Sequence, residues 1–181
     1  MRNYRNLAES EQIKLRGQFS DLLKLALSED TPNYHYLAVN VFDHWLSRDE
    51  ANQLFENVPA QEQSRRNNAL YTFSKKLASE ADVISYKFCG RWSSSKPKFR
   101  TFASEKVKLE YLVPALTKTS GSFFKVVIPD FSMVYVESWD DTNVMYLRDV
   151  SIKGRLMILA KECGVHILER WNCQADARIL V

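Results

Sequence analysis

Between Phe123 and Val165 the chain reads FFKVVIPDFSMVYVESWDDTNVMYLRDVSIKGRLMILAKECGV, and no other stretch narrows the possible folds as far. Two runs of β-branched, aliphatic and aromatic residues are joined across Pro129-Asp130. A third follows the polar turn Asp140-Asp141-Thr142-Asn143. After Asp149, a residue suited to an N-cap, Ile152, Leu156, Leu159, Ala160 and Cys163 recur at helical spacing, and Gly164 stands where a left-handed C-cap residue belongs. This order predicts a sheet with an amphipathic helix packed on it.

Upstream, the spacing predicts helices. Leu15, Phe19, Leu22, Leu23 and Ala26 form one stripe of a helix from Ser10 to Leu27. Thr31-Pro32 reads as a cap followed by Pro in the first turn, opening a helix with Tyr34, Ala38, Val41, Phe42 and Trp45 on one face. Ser47 and Glu50 fit a capping box for a short helix that stops before Pro59. A fourth helix from about Pro59 to Ser79 carries Leu70, Phe73 and Leu77. Residues 1–80 are therefore expected to be wholly helical. From Asp82 the pattern changes to two strands, Val83–Cys89 and Lys98–Phe102, around a Ser-rich connection, with a helix capped by Ser104 after them. Val165–Glu169 and Ala177–Val181 complete the strands. Helices first and strands later predict an α+β fold. About four helices in residues 1–80 pack with a mainly antiparallel sheet in residues 81–181 and a C-terminal helix, all in one compact domain.

Composition narrows the function classes. With 45% hydrophobic and 26% charged residues among 181, the chain has the make-up of a globular protein able to bury a core. The start MRNYRNLAESEQ holds no apolar run of signal-peptide length and no stretch reaches membrane-span length, so a cytoplasmic location is expected. Cys89, Cys163 and Cys173 form no CxxC pair and are expected to be reduced. The net charge of +3 is slight but uneven: residues 87–108 hold seven Lys/Arg against the single acid Glu105.

No spacing dictates a chemistry. His35 and His44 are nine residues apart and fall on opposite sides of a helix, and His166 stands alone in an apolar strand. G-x-S-x-G, S-x-x-K, HExxH, Walker A and G-x-G-x-x-G motifs are absent. No cofactor or metal is expected, and a metal-dependent hydrolase around Glu137, Asp140, Asp141 and His166 is a distant alternative. Two features rise above this background. Arg91, Trp92, Lys96, Lys98 and Arg100 interleave cations with aromatic rings, as a nucleic-acid-binding hairpin would. With Asp141-Thr142 as central turn residues, Trp139 pairs with Val144, Glu137 with Tyr146 and Tyr135 with Arg148. Tyr135, Trp139, Tyr146 and Arg148 then share one face, with a composition typical of binding hot spots. The expected function is accordingly non-enzymatic binding of another protein, with nucleic acid as the alternative partner.

Overall fold

Side-chain alternation along each strand decides which residues meet which helices. The computed structural model describes residues 3–27, 31–91, 95–118 and 121–170. Its strands are β1 (Tyr4–Asn6), β2 (His35–Asn40), β3 (Ile84–Cys89), β4 (Lys96–Phe102), β5 (Lys125–Ile128), β6 (Met133–Glu137), β7 (Thr142–Leu147) and β8 (His166–Glu169). They form one sheet in the order β1-β4-β3-β5-β6-β7-β2-β8, and every ladder is antiparallel. The helices are α1 (Glu9–Gln18), α2 (Leu22–Ala26), α3 (Arg48–Phe55), α4 (Ala60–Glu80), α5 (Glu105–Tyr111) and α6 (Lys153–Cys163). The fold is α+β. Among the described residues no helix is long and apolar enough to cross a membrane.

Helices cover both faces of the sheet. Leu70, Phe73 and Leu77 of α4 and Leu156 and Leu159 of α6 pack with Val126, Met133, Tyr135 and Met145 on one face. Leu15 of α1, Phe19, and Leu22 and Leu25 of α2 pack with Tyr86, Phe99, Val127 and Val134 on the other. Several local signals translate directly into structure. Ser47 Oγ accepts the Glu50 N–H while the Glu50 carboxylate accepts the Ser47 N–H at 2.9 Å, so α3 starts where the capping box places it. Gly164 closes α6 at φ 68°.

Residues 1–80 are not wholly helical, which corrects the sequence expectation. The segment after Thr31-Pro32 is strand β2, inserted between β7 and β8, and Leu37 to Asn40 are all buried. A strand covered on both faces loses its alternation, and its continuous apolar run imitates a helical stripe. The helix expected over Ser10–Leu27 divides after Gln18, where Phe19 leaves helical geometry at φ −121°, ψ 52°. The strand expected at Ala177–Val181 lies outside the described residues, as does Cys173.

One buried side chain replaces a missing strand. β1 ends with Asn6 opposite Arg100, leaving the next N–H and C=O on that edge of β4 without a ladder partner. The Gln12 amide fills the gap: Nε2 donates to the Phe99 carbonyl at 2.7 Å and Oε1 accepts the Phe99 N–H at 3.0 Å. Gln12→Leu would strand both backbone groups in a dry site and is expected to cost about 2 kcal/mol. Denaturant titration checks this, and a loss below about 0.5 kcal/mol would mean that water reaches the edge.

Candidate functional site

The β6–β7 hairpin turns through a three-residue loop, Trp139-Asp140-Asp141, closed by the Ser138 N–H donating to the Thr142 carbonyl at 3.0 Å. Asp140 and Asp141 take positive φ values of 56° and 52°, a conformation that short polar side chains tolerate. The observed register pairs Glu137 with Asn143, Tyr135 with Met145 and Val134 with Tyr146. The two-residue turn expected at Asp141-Thr142 is thus displaced by three positions, and an odd displacement sends alternate side chains to opposite faces.

The consequence for the expected hot-spot face is direct. Tyr135 is 1% exposed against α4, and its hydroxyl bonds Ser74 Oγ at 2.8 Å and Asn143 Nδ2 at 2.7 Å. Tyr146 lies on the opposite face, its ring 5.7 Å from that of Tyr36. Arg148 is exposed beyond the far end of β7, donating to the Gln18 carbonyl, with its guanidinium 5.8 Å from the Tyr34 ring. Only Trp139 projects from the hairpin tip, 72% exposed. The four residues do not form a common face.

Trp139 instead belongs to a different group. Its ring meets that of Phe123 edge-on at 4.6 Å. Across a cleft of about 60 Å³ lies Leu116, 75% exposed, with Pro114 beside it and Glu137 and Asn143 on the lining. Leu116 stands on a 3₁₀ turn, Ala115–Thr117, which opens where Pro114 stops α5 from continuing. The Glu137 carboxylate ties this turn to the hairpin. It accepts the Ala115 N–H at 2.5 Å and the Phe124 N–H at 3.3 Å. Burial pushes its carboxyl above the ordinary range, outweighing those two amides and the nearby Lys118 ammonium, which pull it down.

The sign of that shift can be tested. A carboxyl raised on folding contributes stability at low pH and loses it as pH rises through the folded value. Glu50 and Glu62 are held down by their hydrogen-bonding partners and move the opposite way, so the comparison must isolate Glu137. The stability of wild type relative to Glu137→Gln should fall as pH rises from 4 to 8, measured by denaturant titration at each pH. A difference that grows with pH would contradict the assignment.

The hairpin tip is held rigidly from behind. Arg66 on α4 and Asp141 have side chains only 5% and 4% exposed, and they pair at 3.1 Å. Arg66 also donates to Glu62 at 2.9 Å and to the Leu54 carbonyl at 3.1 Å, and its guanidinium lies 5.0 Å from the Phe42 ring. Gln63 Nε2 donates to the second Asp141 oxygen at 2.6 Å. Trp139 therefore hangs from a braced loop.

The other candidates separate. Asp141 is engaged by Arg66 and Gln63, Glu137 by backbone amides, and His166 is exposed on β8. Among the described residues no group of three His, Cys, Asp or Glu converges as metal ligands would. Burial pushes the Cys163 thiol up, away from a reactive thiolate. A larger groove of about 400 Å³ between α1 and β3 is lined by Glu11, Lys14, Asp82 and Asp130. There Glu11 accepts the Ala8 N–H and Asp130 the Asp82 N–H.

Lys96, Lys98 and Arg100 share the face of the β3–β4 hairpin opposite Tyr86 and Phe99, and Arg91 is exposed at its end. Trp92 lies outside the described residues. Lys87, directly opposite Lys98, joins this face, and strand alternation applied to the expected hairpin could have found it. Leu116 and Phe123 could not be found that way, because only the tertiary fold brings them to Trp139. No protein-family model matches this chain, and neither the curated proteins nor the solved structures compared with it give a significant match.

Proposed function

We propose that this protein is a non-enzymatic recognition protein that grips a segment of another protein at the Trp139–Leu116 cleft. Among the described residues Leu116 and Trp139 are the two most exposed of the large apolar side chains, at 75% and 72%, and both border the same cleft. Single exposed apolar residues are ordinary; two flanking a cleft, with Phe123 bracing one of them, make an apolar contact patch. Its small volume favours this use over catalysis on a small molecule. Ligand pockets span roughly 300–1,000 Å³, whereas about 60 Å³ accepts little more than the end of one side chain. Hydrogen-bond acceptors on Glu137 and Asn143 would orient what enters, in the manner of an apolar anchor with a polar surround.

Selection from a displayed random-peptide library on wild-type protein alone, with the recovered peptides then measured on each variant, tests the proposal. The expected result is a consensus built on one aromatic or aliphatic anchor that binds wild type and is lost on Trp139→Ala and Leu116→Ser. Peptides that bind all three proteins equally would place recognition elsewhere.

A further inference from the structure

We propose that the outer face of the β3–β4 hairpin is a second, independent binding surface, and that its ligand is B-form duplex DNA. The hairpin runs beyond the sheet. β5 pairs only with Ile84 and Ser85, and β1 only with Arg100 to Phe102, so the pairs from Tyr86↔Phe99 to Cys89↔Lys96 continue as a two-stranded ribbon. Its inner face is occupied. Tyr86, Phe88 and Phe99 pack into the cluster beneath α1 and α2, and Arg16 Nε donates to the Pro97 carbonyl at 3.3 Å.

The outer face carries Lys87, Lys96 and Lys98, with Arg100 at its base, 4.1 Å from the Tyr4 ring. Lys87 and Lys98 are direct cross-strand partners, an arrangement that destabilises a ladder. Nothing among the described residues offsets it. Lys87, Arg91, Lys96 and Lys98 make no ion pair there, and the acids of the neighbouring α5 are engaged elsewhere, Glu105 by Lys108 and Glu110 by Lys106. A row of cations held together at a cost, on a rigid backing, fits a polyanion that relieves the repulsion.

Shape selects among polyanions. The strands of a ribbon lie about 5 Å apart, and a two-stranded ribbon fits the major groove of B-DNA, about 12 Å wide. The deep, narrow major groove of A-form RNA does not admit it. The cations touch no residue of the Trp139 cleft, so this surface stands or falls separately from the protein-recognition reading.

Fluorescence anisotropy with a labelled DNA duplex, beside single-stranded DNA, duplex RNA and heparin, provides the test. At ~50 mM salt duplex DNA should bind, and with about four phosphates neutralised log K should fall with log salt at a slope near −3 to −4. Lys87→Glu and Lys98→Glu should each weaken binding at least about tenfold. Each should also leave the melting temperature unchanged or raised, because an opposite-charge pair replaces a like-charge one. A merely structural role would lower it. The proposal is overturned by absence of duplex binding at low salt, by undiminished binding in both variants, or by heparin or duplex RNA binding as tightly as DNA.

Discussion

Replacing Arg66 by alanine is expected to cost about 3–5 kcal/mol, among the largest effects of any single polar substitution in this chain. The reason is what remains. Asp141, with its side chain 4% exposed, would be left with only the Gln63 amide as an observed partner, while the Leu54 carbonyl and the Phe42 and Phe55 rings would lose the guanidinium between them. An Arg66→Ala, Asp141→Asn double variant should recover part of the loss, since it removes the stranded charge along with its partner. Urea titrations of the three variants check both statements. Additive costs in the double variant would show that the two side chains do not depend on each other.

Tyr135→Ala is expected to cost about 3–5 kcal/mol as a large buried aromatic truncation. The ring stacks edge-on with Phe73 at 6.2 Å and lies 5.0 Å from Phe124, so its removal opens a cavity between β6 and α4. Tyr135→Phe separates packing from polarity. It keeps the ring but leaves Ser74 Oγ and Asn143 Nδ2 without their shared partner, for about 1–3 kcal/mol. Thermal melts distinguish the cases, and a cost below about 0.5 kcal/mol for Tyr135→Ala would place the ring on an open face.

That residue also shows where the sequence was legible and where it was not. Elements fixed by local chemistry were readable: the Ser47–Glu50 capping box, the apolar row Leu70, Phe73, Leu77 of α4, the β3–β4 hairpin, and α6 with Gly164 at its end. Two failures share a cause, because each depended on partners distant in sequence. β2 reads as a helix because β7 and β8 flank it and both its faces are buried. The β6–β7 register turned on whether the loop held two residues or three. The polar run Asp140–Asn143 permits either, and the Arg66 and Gln63 contacts to Asp141 belong to α4. One odd displacement moved Tyr146 to the other face from Tyr135 and left Trp139 alone at the tip.

The sequence singles out Trp139, but for a face that the fold does not build; its neighbours in the cleft, Leu116 and Phe123, arrive from a separate segment. The cationic hairpin was more accessible because two adjacent strands suffice to build it. Lys96, Lys98 and Arg100 fall on one side by alternation alone.

Trp139 is proposed to serve recognition and not the packing of the fold. The most direct measurement is the affinity of a library-selected peptide for wild-type and Trp139→Ala protein, made beside denaturant titrations of both. The expected result is a loss of about 2 kcal/mol or more, roughly thirtyfold, with folding stability unchanged to within about 0.5 kcal/mol. Equal affinity for both proteins, or a loss of stability approaching that of Tyr135→Ala, would contradict it.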